Sequence, residues 1–187
     1  MFRHQTPLVK VLVVGADQAG KTSLVQKFVF DEFLNATPTI GINFAHKLCA
    51  GEIGLLNMSI WDLSGQPRFR FLAPQFCSGA SGVVLVVDQT RPDTLSEAVR
   101  WLEIVSRYAH PLHREAIVLA GTKSDLTSKI PQNEIHDFCR THDIFAFIPC
   151  SAKTGYNVTK VFTSLSTAIQ RLQLKPRTPE APYLVTS

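Results

Sequence analysis

Eight residues near the amino terminus constrain the fold more than any other stretch of the chain. Residues 15–22 read Gly-Ala-Asp-Gln-Ala-Gly-Lys-Thr, after an apolar run at 8–14 and before a helix-like segment at 23–28. The two glycines let the backbone turn tightly, so that consecutive N–H groups form a nest for an anion. The amino terminus of the following helix adds its positive dipole end. This pattern predicts a phosphate-binding loop in which Lys21 reaches the β- and γ-phosphates and the Thr22 hydroxyl ligates Mg²⁺.

Composition excludes several classes of protein. The chain has 187 residues and a formal net charge of +4, which predicts one domain and gives no reason to expect nucleic acid as a partner. The sequence contains neither a signal peptide nor an apolar run long enough to span a membrane. We therefore expect a cytoplasmic protein. Its cysteines form no C-x-x-C pair, so we expect buried, reduced thiols and no zinc at Cys49, Cys77, Cys139 and Cys150.

Strand and helix patterns alternate along the chain. Nearly continuous apolar runs at 8–14 and 82–88 are typical of strands buried on both faces of a parallel sheet, and the apolar runs at 116–120 and 144–148 predict two further strands. Residues 42–49 and 55–61 flank a turn and predict one antiparallel hairpin. Helical spacing of apolar residues separates most of the other strands. The sequence thus predicts an α/β fold, doubly wound, with a mostly parallel six-stranded sheet and helices on both faces.

Four segments of unusual composition follow predicted strands directly. They are residues 15–22, 62–66, 122–125 and 151–153. Because ligands of doubly wound folds bind at the carboxyl ends of the strands, we expect these segments to form one site. We expect a single domain over residues 1–174 and a flexible, Pro-rich tail at 175–187.

With these segments identified, the chain resembles a small GTPase of the Ras superfamily over about residues 8–172. The segments 40–44, 61–66, 68–70, 78–80 and 82–88 are similar to the Rab branch. Two features resemble the Arf branch instead, namely Asp17 inside the phosphate loop and Thr39 within Pro-Thr-Ile-Gly, 18 positions after Lys21. The resemblance implies a switch that binds GTP or GDP with Mg²⁺ and hydrolyses GTP.

The resemblance also implies how guanine is recognised. Asp125 would accept hydrogen bonds from guanine N1–H and the 2-amino group, which adenine lacks. Lys123 would lay its alkyl stem over the base, Phe33 would stack on its edge, and the Ala152 N–H would donate to O6. Thr122 stands where Asn is more common. The residues expected to contact nucleotide are Asp17, Gln18, Ala19, Gly20, Lys21, Thr22, Ser23, Phe33, Thr39, Gly65, Thr122, Lys123, Asp125, Ser151, Ala152 and Lys153.

Switching and catalysis are implied by the same resemblance. Thr39 would ligate Mg²⁺ and sense the γ-phosphate, while Asp62 would hold Mg²⁺ through a water, so the metal residues are Thr22, Thr39 and Asp62. The Thr39 contact and a bond from the Gly65 N–H to the γ-phosphate exist with GTP and vanish with GDP, which gives an order–disorder switch. Gln66 would orient the attacking water, and Lys21 would stabilise the phosphoryl group.

Two departures from the family pattern bear on the rate of hydrolysis. Asp17 and Gln18 put polar side chains beside the γ-phosphate, where small residues are more common. Pro67 biases Gln66 toward an extended backbone, and the sequence leaves open whether this aids catalysis. We expect slow intrinsic hydrolysis that an activating protein accelerates. The alternatives are an interaction module that holds nucleotide without turnover, and a P-loop ATPase or small-molecule kinase.

Partners follow from the same resemblance. Phe44, Trp61 and Phe76 fall where Rab-like members expose aromatic side chains to effectors, and an exchange factor and an activating protein are expected as well. We expect a monomer. Because the sequence has no cysteine after Cys150 and has Phe2 at its second position, we expect no lipid anchor in this chain. The protein then works in solution, reaches membranes through a partner, or carries its anchor on a segment outside this sequence.

Overall fold

The computed structural model describes residues 6–33, 38–110 and 112–174. Its strands are β1 (Leu8–Gly15), β2 (Ile42–Ala50), β3 (Leu55–Leu63), β4 (Gly82–Asp88), β5 (Ile117–Thr122) and β6 (Ala146–Pro149). Its α-helices are α1 (Lys21–Phe30), α2 (Ala73–Cys77), α3 (Asp93–Tyr108), α4 (Gln132–Thr141) and α5 (Val158–Leu174). Short 3₁₀ helices cover Pro67–Leu72 and Arg114–Ala116. The predicted tail at 175–187 lies outside the described residues.

The six strands form one sheet in the order β2-β3-β1-β4-β5-β6. Only β2 and β3 pair antiparallel, with Phe44 opposite Trp61, and every other neighbouring pair is parallel. All seven residues of β4 are buried, as expected for a central strand covered on both faces. The predicted mostly parallel sheet with its single hairpin is confirmed.

Helices cover both faces of this sheet. Alternate β1 residues divide between two apolar clusters, because successive side chains of a strand point to opposite faces. Val11 and Val13 pack in the cluster that contains α1 and α5, where Phe28 and Phe162 stack with ring centroids 3.9 Å apart. Leu12 packs in the cluster that contains α2, α3 and α4. The predicted doubly wound architecture is therefore confirmed.

The last strand differs from its prediction. The apolar run at 144–148 predicts a strand that begins at Ile144, but β6 covers Ala146–Pro149. The Ile144 N–H instead donates to the Cys139 carbonyl in α4, at 3.0 Å. The apolar run locates the strand, but it does not show where ladder pairing begins, and residues 145–147 are only partly buried because β6 is an edge strand.

Candidate functional site

The carboxyl ends of the parallel strands surround a cavity of about 460 Å³. Fifteen of the residues predicted to bind nucleotide or metal line it. They are Asp17, Gln18, Gly20, Lys21, Thr22, Ser23, Phe33, Thr39, Gly65, Thr122, Lys123, Asp125, Ser151, Ala152 and Lys153. The lining also includes Pro38, Ser64 and Leu126, which the sequence analysis did not single out. The four unusual segments thus meet around one cavity.

Three predicted site residues lie outside this lining. Ala19 is buried beneath the loop and Asp62 is fully buried behind Thr22. Gln66 is half-buried, and its side-chain Oε1 accepts a hydrogen bond from Arg68 Nε at 2.8 Å. Its backbone is extended, with φ −67° and ψ 131°, as the following proline favours. In this structure the Gln66 side chain therefore binds Arg68 and does not line the cavity.

The phosphate loop wraps around the ammonium group of Lys21. Lys21 Nζ donates to the Ala16 carbonyl at 2.6 Å and to the Gly15 carbonyl at 3.2 Å, and the residue is 5% exposed. Burial lowers the pKa of Lys21 to about 8, while the carboxylates of Asp62 and Asp17 oppose that shift. Gly20 has φ +86°, a left-handed conformation that favours glycine and turns the loop into α1.

Three oxygen-bearing side chains converge at the start of α1. Thr22 Oγ1 lies 2.7 Å from Thr39 Oγ1 and donates to Asp62 Oδ2 at 2.6 Å. The second carboxylate oxygen of Asp62 is buried and has no hydrogen-bond partner among the residues that the structure describes. Burial raises the pKa of Asp62 to about 6, although the Thr22 hydrogen bond and the Lys21 charge lower it. Hard oxygen donors around an unpaired buried carboxylate oxygen fit Mg²⁺, with Thr22 and Thr39 as ligands and Asp62 beside them.

Gly65 brings the segment after β3 into contact with the phosphate loop. A Cβ at this position would lie 2.5 Å from Ala16 C and from Asp17 N, so only glycine allows this approach without movement of the backbone. Gly65 also lines the cavity. The contact puts the backbone of residue 65 next to Asp17, on the side of the cavity where the sequence analysis predicts the γ-phosphate.

The other end of the site is built from β5 and the loop after β6. Ser151 Oγ donates to Asp125 Oδ1 at 2.6 Å, which fixes one oxygen of this cavity carboxylate. Lys123 Nζ lies 2.6 Å from Asp88 Oδ2. Burial of Asp88 opposes its ionisation, but hydrogen bonds from Lys123 and Thr90 hold its pKa below the usual value. Asp88 is a partner of Lys123 that the sequence motifs do not mark, although an acid at the end of the buried strand β4 is a signal for such a residue.

Thr122 links the two ends of the site. Its hydroxyl is buried and lies 2.6 Å from the Ala19 carbonyl and 3.0 Å from the Val87 carbonyl, with the shorter contact to the phosphate loop. Phe33 lines the cavity and is 44% exposed, so it can contact a ligand as well as neighbouring side chains.

The three aromatic residues predicted to meet effectors form a row beside the site. The ring centroids of Phe44 and Trp61 are 4.4 Å apart, and those of Trp61 and Phe76 are 5.7 Å apart. Phe44 is 56% exposed, whereas Trp61 and Phe76 are half-buried against the core. The row therefore combines a packing role with an accessible surface at Phe44.

The structure also shows how deeply the four cysteines are buried. All four cysteines are free thiols; Cys49, Cys77 and Cys150 are buried, but Cys139 is only partly buried. Burial raises the pKa of the Cys150 thiol to about 12, which makes it unreactive.

Among the residues that the structure describes, no helix is long and apolar enough to cross a bilayer.

Comparison with known proteins agrees with this geometry. The family model described as "Ras family" matches residues 10–171. The chain is 35% identical to GTP-binding protein ypt4 of Schizosaccharomyces pombe over 89% of its own length and 74% of that protein. It is 37% identical to Ras-related protein Rab-18-B of Danio rerio, covering 84% of the chain and 77% of the relative. It is 33% identical to Ras-related protein Rab-22A of Mus musculus, covering 90% of the chain and 87% of the relative.

Proposed function

Since the chain belongs to the Ras family of small GTPases, as a Rab-like member that binds GTP and GDP with Mg²⁺ and hydrolyses GTP, we propose that the cavity at the carboxyl ends of the strands is its nucleotide site. The observation that carries the proposal is that Asp125 and Lys21 line the same cavity, one from the loop after β5 and the other from the phosphate loop. Of the functions that the sequence left open, family membership selects the GTP-hydrolysing switch.

In this proposal one end of the cavity binds the guanine base and the other end binds the phosphates. Asp125, oriented by Ser151, accepts the two guanine donors, while Lys123 and Phe33 contact the base. The backbone N–H groups of the phosphate loop and the Lys21 ammonium hold the phosphates. Mg²⁺, when bound at Thr22 and Thr39 beside Asp62, neutralises charge on the phosphate oxygens.

Hydrolysis requires positioning of water more than covalent chemistry from the protein. We assign this positioning to the Gln66 carboxamide, which must leave Arg68 to act in the cavity. The Thr39 hydroxyl and the Gly65 N–H respond to the terminal phosphate, so the loops that carry them report which nucleotide is bound. Asp17, Gln18 and Pro67 keep the intrinsic rate slow in this account, and an activating protein raises it.

The partners follow from the surface beside these loops. We propose that effectors contact the row formed by Phe44, Trp61 and Phe76, with the exposed Phe44 ring as the anchor. An exchange factor and an activating protein complete the cycle. We further propose a monomer that acts from the cytoplasm in vesicle trafficking and reaches membranes through a partner.

Nucleotide selectivity tests the proposed site. We expect the wild-type protein to bind GTP and GDP far more tightly than ATP. Asp125→Asn should lose affinity for GTP and gain affinity for XTP, because an amide N–H can donate to the 2-carbonyl of xanthine. Asp137→Asn, on the exposed surface of α4, is the matched control and should leave selectivity unchanged. Equal affinities of the wild type for GTP and ATP, or selectivity unchanged by Asp125→Asn, would contradict the proposal.

A further inference from the structure

An arginine outside the cavity holds the acidic residue of the phosphate loop. Arg91 lies in the turn between β4 and α3, and its Nη1 donates to the Asp17 carbonyl at 3.1 Å across 74 residues of sequence. Its Nη2 lies 2.7 Å from Asp93 Oδ2. The two ends of one guanidinium therefore connect the loop to the first turn of α3.

The backbone of Arg91 is itself fixed. Its N–H donates to the Asp88 carbonyl at 2.9 Å, and its carbonyl accepts the Thr94 hydroxyl at 2.6 Å. Thr94 is fully buried. A side chain that starts from such a constrained turn is well suited to hold a neighbouring loop in one position, since little conformational freedom remains to be lost.

Charge gives the contact a second consequence. The hydrogen bond to Asp93 raises the pKa of Arg91, burial opposes this, and the negative charges of Asp93, Asp88 and Asp17 raise it further. The negative charge of Asp17 also raises the pKa of Lys21, a residue that lines the cavity. Asp17 lines the cavity, and its backbone nitrogen lies beside Gly65. If the terminal phosphate of GTP binds at this end of the cavity, the negative charge of Asp17 opposes it.

We propose that Arg91 is a positioning residue that sets the preference for guanosine triphosphate over diphosphate: its bond to the Asp17 carbonyl fixes where the Asp17 carboxylate lies, and its positive charge offsets the negative charge of that carboxylate. This inference rests on the proposed nucleotide site. The triphosphate brings its last phosphate nearest to Asp17, whereas the diphosphate does not. Loss of Arg91 therefore weakens triphosphate binding more than diphosphate binding, and only while residue 17 carries a carboxylate.

A double-mutant cycle tests the inference. Dissociation constants for fluorescent GDP and a fluorescent non-hydrolysable GTP analogue are measured, with Mg²⁺, for the wild type, Arg91→Gln, Asp17→Asn and the double variant. We expect Arg91→Gln to weaken the triphosphate relative to the diphosphate by about threefold to tenfold, the range of one partly exposed charge interaction. In the Asp17→Asn background the same substitution should leave the ratio unchanged.

Each outcome of the cycle has a separate meaning. Equal weakening of both nucleotides by Arg91→Gln, or the same change of ratio in both backgrounds, would overturn the inference and leave Arg91 a purely structural residue. Arg91→Lys, which keeps the charge, should retain most of the preference, so it tests the inference if Arg91→Gln does not fold. Failure of the wild type to bind either nucleotide would instead refute the proposed nucleotide site.

Discussion

The Thr122 hydroxyl lies 2.6 Å from the carbonyl oxygen of Ala19 and joins the end of β5 to the phosphate loop across 103 residues of sequence. Thr122 is 2% exposed and Ala19 is fully buried, so water cannot replace this hydrogen bond. Thr122 also immediately precedes Lys123, which ion-pairs with Asp88. One buried hydroxyl therefore ties the segment that recognises the base to the segment that holds the phosphates.

Removal of this hydroxyl should weaken all nucleotides together. Thr122→Val keeps the shape of the side chain but leaves the buried Ala19 carbonyl without its donor, which costs about 1–2 kcal/mol. We expect the dissociation constants for GTP and GDP to rise by a similar factor in equilibrium titrations, by at most about 30-fold, the factor that corresponds to the full ~2 kcal/mol. Thr122→Ser keeps the hydroxyl and should bind nearly as the wild type does. If the serine variant were as weak as the valine variant, the hydroxyl would not be the cause.

The turn of the β2–β3 hairpin is held by the last helix, and this contact should matter for stability. Gln170 in α5 is 6% exposed; its Oε1 accepts from the Ile53 N–H at 3.1 Å and its Nε2 donates to the Gly54 carbonyl at 2.9 Å. Gln170→Ala should lower the free energy of unfolding by about 1–3 kcal/mol, because the Ile53 N–H loses its acceptor and the Gly54 carbonyl keeps only the Gly51 N–H as a donor. Gln173→Ala, at an exposed position of the same helix, is the control for helix propensity. Equal effects of the two substitutions in denaturant titrations would refute a specific role for Gln170.

The dependence of Mg²⁺ binding on pH should report the protonation of Asp62. Burial raises the pKa of this carboxyl to about 6, so it carries a proton below that pH and competes with the cation. We expect the affinity of the nucleotide complex for Mg²⁺ to fall as pH decreases through about 6. Since the folded pKa lies above the ordinary value, this group stabilises the metal-free fold most at low pH, and that contribution declines as pH rises toward 6.

The control for this experiment is Asp62→Asn, which removes the titrating carboxyl and leaves only the titration of the nucleotide phosphates. Mg²⁺ titrations of both proteins, followed by nucleotide fluorescence at several pH values, give the difference curve. If the Mg²⁺ affinity of the wild type followed pH in parallel with that of the variant across the whole range, Asp62 would not control Mg²⁺ binding.

The fold could be predicted because its determinants are local or periodic. Strands buried on both faces read as continuous apolar runs, as β4 does, and the glycines and lysine of the phosphate loop have fixed spacing. Because the carboxyl ends of parallel strands meet at one edge of the sheet, the sequence also predicts that Asp125 lies near the phosphate loop. What these patterns lack is the ladder register, so the start of β6 at Ala146 was missed.

The parts of the site that the sequence did not predict are contacts that side chains make with residues of other segments. The Asp88 ion pair with Lys123 and the Arg91 bond to Asp17 join different loops, and no periodicity in the sequence marks them. The contact between Arg68 and Gln66 is local, but nothing in the sequence distinguishes a glutamine held by arginine from one that faces the cavity. Such contacts depend on rotamers that only the packed structure determines.

The most direct test of the account is phosphate release from GTP by the purified protein with Mg²⁺, measured in a single turnover for the wild type, Gln66→Leu and Gln75→Leu. Gln75 is an exposed residue of α2 and controls for the loss of a surface glutamine. We expect slow but measurable release by the wild type and the Gln75 variant, and release roughly tenfold to a hundredfold slower in the Gln66 variant, because the attacking water loses its positioning group. Tight GTP binding with no release from the wild type, or equal rates in all three proteins, would contradict the account.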